Sequence, residues 1–161
     1  EIMPSLVGSE MCIRDRLYTT GESEKLWSGA FQRPSAAEVT CAYGVVQMVD
    51  GQRSGQSTGL TYAAMPGETI TAPQNGKVVF AGMLTLTGGT VVIDHGCGVK
   101  SYLYGLETVT AQQGQTVSTG DAVGTAGETH DFIYELRIGS KSVDPEKAIL
   151  GSSGLQYRES E

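Results

Sequence analysis

Short apolar runs separated by turn residues dominate the middle of the chain. The runs are rich in Val, Ile, Thr and Tyr, and in chain order they read ETITAP, GKVVFAG, GGTVVIDHG, VKSYLYGL and FIYELRIG. Gly, Pro, Asn and Asp residues separate them at roughly 8 to 15 positions, a spacing typical of sheet-rich domains. The pattern therefore predicts an all-β, mostly antiparallel fold, arranged as a β-sandwich or flattened barrel with little helix.

The segments that flank these runs carry weaker signals. Residues 38–44 (EVTCAYG) indicate a further strand, whereas the polar segment at 49–56 (VDGQRSGQ) indicates a loop. Near the end of the chain, Asp144 supplies an N-cap and Pro145 occupies the first helical position. This pair predicts one short helix over PEKAIL.

Residues 131–138 alternate in polarity, and neighbours along a strand point to opposite faces of a sheet. One face of this strand is predicted to pack in the core, and it carries Phe132, Tyr134, Leu136 and Ile138. The other face is mixed and is expected to line a groove or meet solvent; it carries Asp131, Ile133, Glu135 and Arg137. By the same alternation, Tyr102 and Tyr104 face outward if Ser101 and Leu103 face the core. They are then surface tyrosines or part of a recognition surface.

The length of 161 residues suits one domain, and the strand-rich part is expected at 31–150. Residues 1–16 have no amphipathic period and no signal-peptide pattern, and SLVGSEMCIRDR resembles a translated sequencing adapter. A non-native or disordered tail is therefore expected there, followed by a linker or N-terminal extension at 17–30, with a C-terminal tail at 151–161. A genuine upstream sequence would then be missing, and with it any export signal or membrane anchor.

The chain is acidic, with 18 Asp and Glu against 11 Lys and Arg and a net charge of -7. It lacks the basic stripe that displaces counterions from phosphate backbones, so nucleic acid is excluded as a partner. No apolar run reaches the length of a membrane span, so a membrane is expected only through a missing upstream anchor. Cys12, Cys41 and Cys97 have no metal-type spacing and are expected to be free, although Cys41 and Cys97 could pair if the fold brings them together.

From about Phe31 to Pro145 the order of motifs is that of one family. The matching segments are FQRPSAAEVTCAYG, STGLTYAAMPGETITAPQNGKVVFAG, TGGTVVIDHGCGVKSYLYGL, VTAQQGQTVSTGDAVGTAG and YELRIGSKSVDP. Together they resemble the lysostaphin/LytM-type zinc endopeptidases, which cut peptide cross-bridges in bacterial cell walls. The resemblance implies a duplicated β-hairpin fold, and a faint internal repeat between 67–82 and 114–127 points the same way.

In that family a His-x-x-x-Asp pair and one histidine of a His-x-His pair hold a zinc ion, and a Tyr-x-His-Leu histidine completes the site. Three protein ligands leave room for a water whose pKa the metal lowers. Carried over by motif, the five positions fall on Ser57, Thr61, Gly105, Asp131 and Ile133. None is a histidine, and none of the three ligand positions holds a His, Cys or carboxylate. The resemblance therefore implies a groove without catalytic residues and without zinc, the cofactor expected for the family.

The two histidines of the chain lie elsewhere in the sequence. His95, in DHGCG, is predicted to be a turn residue bonded to backbone or, alternatively, a relocated ligand. His130 is predicted to be a loop side chain or part of a polar pocket with Asp131, and Glu135 and Arg137 are further possible polar groups of the groove. Asp131 and Glu135 share a strand face and could form an acid–base pair; a solvated face with Arg137 as counter-charge is the alternative.

Three classes of function remain. The resemblance favours a non-catalytic cell-wall-peptidase-like domain that binds a cell-wall peptide or an envelope protein outside the cytoplasm, as a regulator or scaffold. The second class is a peptidoglycan metalloendopeptidase with a rearranged zinc site around His95, His130, Asp131 and Glu135. The third is a lipoyl- or biotinyl-type carrier, but Lys77 and Lys100 lack the neighbours that such a hairpin-tip lysine needs.

Overall fold

The computed structural model describes residues 26–27, 31–85, 87–128, 131–139 and 141–150. Within these residues the chain forms twelve strands and one short helix, so the predicted all-β class is confirmed. The elements are β1 (Val39–Cys41), β2 (Val46–Val49), β3 (Gln52–Gln56), β4 (Leu60–Tyr62), β5 (Thr69–Thr71), β6 (Gly76–Leu84), β7 (Gly88–Gly96), β8 (Val99–Val109), β9 (Thr116–Val117), β10 (Ala122–Ala126), β11 (Phe132–Ile138), β12 (Lys141–Val143) and α1 (Pro145–Leu150).

Ten of these strands form one antiparallel sheet. Its main path runs β1-β4-β11-β8-β7-β6-β9, with β12 on β11, β10 on β8 and β5 on β10. Strand β8 belongs to two parts of the sheet, because Val99 to Tyr104 pair with β11 and Leu106 to Val109 pair with β10. Gly105 therefore lies where β8 changes its partner.

One face of the sheet packs on a large apolar core. Side chains from both halves of β8 reach it, as do the predicted core residues Phe132, Tyr134 and Leu136. The prediction for Ile138 is wrong, because this side chain is 42% exposed. Ile138 is the last residue of β11 and pairs with Lys141 at the start of β12, so it lies beyond the edge of the core.

Residues 49–56, predicted to be a loop, instead form most of a β-hairpin. Strands β2 and β3 pair as a separate two-stranded sheet, and Asp50 and Gly51 form its tip at φ 52° and 78°. An Asp-Gly turn with positive φ at both positions has the geometry that suits tightly paired strands. The Asp-Gly pair is the sequence signal for this hairpin, but the polar residues around it do not alternate with apolar ones.

The predicted helix is confirmed at Pro145–Leu150, and the Asp144 side chain caps it by accepting the backbone N–H of Glu146 at 3.0 Å. The strand predicted at 38–44 is present but shorter, as β1. No helix in the described part of the chain is long and apolar enough to cross a membrane.

Cys41 and Cys97 are free thiols, as predicted. Cys12 and the tails predicted at 1–16 and 151–161 lie outside the described residues. The predicted linker at 17–30 also lies outside them, apart from Leu26 and Trp27.

Candidate functional site

Two of the five predicted site positions lie directly opposite each other in the sheet. Thr61 of β4 is the register partner of Ile133 of β11, and Ile133 is the partner of Tyr104 of β8 on its other side. Side chains of register partners point to the same face and lie about 5 Å apart. Thr61, Ile133 and Tyr104 therefore form one row across three strands, which we call the site row.

Ser57 lies just before β4 and is held by backbone contacts. Its N–H donates to the carbonyl of Val45 at 2.9 Å, and its carbonyl accepts the N–H of Gly44 at 2.8 Å. Its hydroxyl donates to the carbonyl of Gly59 at 2.8 Å. The Ser57 side chain is thus engaged locally, and its backbone joins the site to the base of the β2–β3 hairpin.

Gly105 does not belong to the site row, although the motif places a histidine there. It has a φ of +81°, a backbone conformation that is unfavourable for residues with a Cβ atom. A Cβ at this position would lie 2.0 Å from the carbonyl oxygen of Asp131, so Gly105 and Asp131 approach through their backbones. The site-row residue at this level of β8 is Tyr104, which the motif did not assign to the site but which strand alternation placed on this outward face.

The polar residues on the same face of β11 form a bonded group. The Glu135 carboxylate accepts a hydrogen bond from the Thr58 hydroxyl at 3.0 Å and pairs with the Nε of Arg137. Glu135 is only 4% exposed, so the expectation of a solvated face is wrong, whereas Arg137 is its counter-charge as predicted. Asp131 is exposed and precedes the strand. The structure thus pairs Glu135 with Thr58 and Arg137, and no sequence signal pointed to Thr58.

Tyr102 and Tyr104 face away from the main core, as alternation predicts, but they are buried rather than on the surface. Tyr102 is 0% and Tyr104 is 5% exposed, and their rings stack with centroids 6.0 Å apart. Val92 joins them in a second, smaller apolar cluster. The two tyrosine rings therefore pack beside Ile133 on this face of the sheet.

His95 lies on the opposite face of the sheet, in the main core. Its Nδ1 is 2.7 Å from the carbonyl oxygen of Asn75, which can only accept, so Nδ1 carries the proton. Its Nε2 then accepts from the Ser101 hydroxyl at 2.7 Å, and Ser101 lies 3.1 Å from the hydroxyl of Tyr134. Burial lowers the pKa of His95 to about 4, so the ring is neutral.

This position decides between the two predictions for His95. It bonds to backbone as expected, but from within β7 rather than from a turn, and it is fully buried. It faces away from Glu135, so the structure does not bring these two residues together in a rearranged metal site. His130 lies outside the described residues. Lys100 is 2% exposed and so is not the tip lysine of a carrier domain.

The side chains around the site row do not fit a zinc ion. Zinc sites use imidazole, thiolate and carboxylate ligands. The site row offers a hydroxyl, an alkyl group and a buried phenol, and the Ser57 hydroxyl is already bonded to backbone. Within the ranges that the structure describes, no group of three or more His, Cys, Asp or Glu side chains is arranged to hold a metal ion.

The candidate site thus lies on an antiparallel sheet, across the three neighbouring strands β4, β11 and β8. Residues 55–145, more than half of the chain, match Peptidase family M23. The chain belongs to this family, which agrees with the predicted resemblance.

Sequence and structure comparisons add three similar proteins. Murein hydrolase activator NlpD of Salmonella typhimurium is 30% identical over 100 residues, which cover 59% of this chain and 26% of NlpD. A crystal structure assigned to peptidase M23 from Pseudomonas aeruginosa has a TM-score of 0.73 at 23% identity, over 90% of this chain and 61% of that chain. A chain in the SpoIIIAH and SpoIIQ complex has a TM-score of 0.63 at 17% identity, over 73% of this chain and 98% of that chain.

These likenesses differ in what they establish. Both structural neighbours are below 25% identity and support the fold alone. The chain spans about a quarter of the length of NlpD, so the match concerns one part of that protein.

Proposed function

We propose that this domain is a non-catalytic member of family M23 that binds a cell-wall peptide or an envelope protein and acts as a regulator or scaffold. Of these two partners, an envelope protein is the one we favour. Because murein lies outside the cytoplasmic membrane, this function requires an extracytoplasmic location.

The site row carries this proposal. Thr61 and Ile133 occupy adjoining positions on β4 and β11, where the family would place an aspartate and a histidine on one metal ion. A hydroxyl and an alkyl group cannot replace those ligands. We therefore propose that the domain holds no catalytic zinc and does not cut cross-bridges.

The backbone supports the same proposal independently of the side chains. The histidine position of the Tyr-x-His-Leu motif falls on Gly105, whose φ is positive and whose α-carbon abuts the Asp131 carbonyl. A histidine at this position would require the two strands to move apart. The change from the family pattern thus extends to the packing of β8 against the start of β11.

The names of two similar proteins support a protein, rather than a cell-wall peptide, as the partner. NlpD is a murein hydrolase activator, and the SpoIIIAH and SpoIIQ structure is a complex of two proteins. The first name describes action on another protein, and the second describes association with one. We infer that this chain likewise acts through contact with an envelope protein.

The β2–β3 hairpin offers an apolar surface for that contact. Val45 and Val46 are each 45% exposed and Met48 is 59% exposed. The Val45 carbonyl accepts the N–H of Ser57, so this surface begins directly beside the candidate site. Clustered exposed apolar side chains are typical of protein interaction sites. We propose that the partner contacts the hairpin and the neighbouring site row together.

The first test measures metal content and hydrolysis. The purified chain is expected to contain far less than one zinc per molecule and to leave purified peptidoglycan uncut, even with added zinc. Stoichiometric zinc together with cleavage of cross-bridges would instead support the metalloendopeptidase alternative.

The second test measures partner binding by the hairpin. Candidate envelope proteins, including murein hydrolases, are titrated with the chain, and binding and hydrolase activity are followed. Met48→Gln is expected to weaken binding at least several-fold, whereas Met83→Gln, which alters a similarly exposed methionine (64%) on β6, is expected to leave it unchanged. Equal effects of the two substitutions would contradict the hairpin as the contact surface.

A further inference from the structure

A cavity of about 380 Å³ lies at the β6–β9 edge of the sheet, away from the site row. Its volume is at the low end of the range of small-molecule sites, about 300–1,000 Å³. Strand β7 separates β6 from β8 in the sheet, and no site-row residue is among the described residues that line the cavity. The cavity is therefore separate from the site row and suits a small ligand.

The walls of the cavity are held in place by hydrogen bonds. The Asn75 side-chain oxygen accepts the N–H of Thr119 at 2.9 Å, and the Asn75 carbonyl accepts the Nδ1–H of His95 at 2.7 Å. The Asn75 N–H donates to the Gln74 side-chain oxygen at 2.9 Å. On the apolar side, the Leu26 N–H donates to the His95 carbonyl at 2.7 Å. The cavity is thus preformed, and the Asn75 amide is fixed by its oxygen.

Three polar groups of the lining have no hydrogen-bond partner in the described part of the chain. They are the side-chain nitrogen of Asn75 and the hydroxyls of Thr116 and Ser118. The amide nitrogen can only donate, whereas each hydroxyl can both donate and accept. Leu26 and Val117 add apolar groups to the same lining. A ligand that combines a carbonyl oxygen, hydroxyl groups and an apolar part would complement this set.

The charges around the cavity favour a neutral ligand. The chain carries a net charge of -7, which repels anions at long range. The Asp121 carboxylate lies beside the wall, where it accepts the N–H of Ser118 at 2.9 Å, and Asp94 is the register partner of Lys77. Lys77 in turn lines the cavity and disfavours a cation. The ligand that fits best is therefore uncharged.

We propose that this cavity binds a neutral sugar that carries an acetamido group. Asn75 would donate to the acetamido carbonyl, and the hydroxyls of Thr116 and Ser118 would exchange hydrogen bonds with the sugar hydroxyls. Leu26 and Val117 would contact the acetamido methyl group and the apolar face of the ring. The choice of an amino sugar rests on the proposed cell-wall role, whereas a neutral, hydroxyl-bearing ligand follows from the lining alone.

The test uses three sugars that differ in one group each. N-Acetylglucosamine, glucose and N-acetylmuramic acid are titrated into the isotope-labelled full chain, and backbone amide chemical shifts are followed. N-Acetylglucosamine is expected to shift the amides of Asn75, Thr116 and Ser118, and glucose, which lacks the acetamido group, to bind at least several-fold more weakly. N-Acetylmuramic acid adds a carboxylate and is expected to bind no more tightly than N-acetylglucosamine. Tighter binding of the acid would overturn the neutral class, and equal binding of glucose would overturn the acetamido contact.

Substitutions of side-chain atoms separate this cavity from general surface binding. Thr116→Val removes one hydroxyl and keeps the branched shape, and it is expected to weaken N-acetylglucosamine binding roughly fivefold or more. Thr69→Val makes the same change at an exposed threonine of β5 outside the described lining and is expected to have no effect. Asn75→Asp keeps the oxygen that accepts the Thr119 N–H and loses the donor, so roughly tenfold weaker binding is expected.

Three results would overturn the proposed sugar site. They are no binding of N-acetylglucosamine, shifts that gather around Thr61 and Ile133, and equal effects of Thr116→Val and Thr69→Val. If the sugar does not bind while an envelope protein still binds the hairpin, the sugar site alone is wrong. Stoichiometric zinc with cleavage of cross-bridges would instead contradict the non-catalytic function and leave the sugar titration unaffected, so the two proposals can fail separately.

Discussion

A Cβ atom at Gly105 would lie 2.0 Å from the carbonyl oxygen of Asp131, so the backbones of these two residues pack directly against each other. Gly105 also donates its N–H to the Thr87 carbonyl at 2.9 Å, which fixes its positive φ. The position at which the family motif has a histidine is therefore occupied here by a glycine, and the backbone around it leaves no room for a side chain. Under the proposed function, the departure from the family motif therefore extends to the backbone.

The first prediction concerns the stability of Gly105 variants. Gly105→Ala is expected to lower the free energy of unfolding by about 3 kcal/mol or more, because it adds both φ strain and a clash with backbone. Gly114→Ala is the matched control: its φ is +90°, but nothing lies within 4 Å of the added methyl, so a loss of only about 1 kcal/mol is expected. Denaturant unfolding of both variants measures the difference, and equal losses would show that the Asp131 contact is unimportant.

The second prediction tests the position of the site row. Because Thr61 and Ile133 are register partners, a triple variant with Ser57→His, Thr61→Asp and Ile133→His is expected to gain one zinc per chain. Zinc at 100 times its Kd would then raise the free energy of unfolding by about 2.7 kcal/mol.

Metal content and thermal unfolding with and without zinc measure this gain. The matched control carries only Ser57→His and Thr61→Asp, and with two ligands it is expected to bind zinc much more weakly. If the triple variant binds no better than the double variant, the residues that correspond to the family ligands have been assigned wrongly.

The sequence was sufficient to assign the side chains of β11 to the two faces of the sheet. In β11 the period of two separates Phe132, Tyr134 and Leu136 from Ile133 and Glu135, and the structure keeps that separation. The pattern could not reveal that Glu135 is buried, because its partner Thr58 lies 77 residues away in the chain. Side-chain alternation assigns a residue to a face, whereas burial depends on what other segments place over that face.

Alternation placed Tyr104 on the outward face of β8, but the family motif did not assign it to the site. A motif assigns residues by their letters and spacing, but β8 changes partner at Gly105 and its pairing with β7 is irregular between Gly89 and Val91. Such irregularities change which side chain reaches the groove without altering the motif around them. His95 was assigned to a turn from its glycine-rich context DHGCG, whereas β7 runs through His95 to Gly96.

The third prediction compares two buried tyrosines. The Tyr62 hydroxyl is buried without a hydrogen-bond partner among the described residues, and burial raises the pKa of Tyr62 to about 12. Tyr62→Phe is therefore expected to leave stability unchanged or to raise it by up to about 1 kcal/mol. Tyr134→Phe removes the hydroxyl next to Ser101 and is expected to lower stability by about 1–2 kcal/mol. Chemical denaturation distinguishes the two, and a larger loss for Tyr62→Phe would contradict the assigned contacts.

The fourth prediction concerns acid stability and depends on His95. Its pKa is lowered to about 4 by burial, against 6.5 in an unfolded chain. Below pH 6.5 His95 becomes protonated in the unfolded chain, whereas in the folded protein it stays neutral down to about pH 4. The contribution of His95 to stability is therefore complete above pH 6.5 and is lost as the pH falls to about 4. At about 1.4 kcal/mol per pH unit, this loss is about 3 kcal/mol.

Carboxylates also titrate at the lower end of this range, so the measurement must isolate the histidine. Ring-proton NMR of the folded protein is expected to show His95 neutral down to about pH 4, and stability between pH 6.5 and 5 is expected to fall more steeply in the parent than in His95→Gln. If the His95 ring titrates near pH 6.5, that result would be incompatible with its buried contacts to Asn75 and Ser101. Because those contacts join β7, β8 and the residue before β6, protonation of His95 is expected to loosen the packing of β8, which carries Tyr104 of the site row.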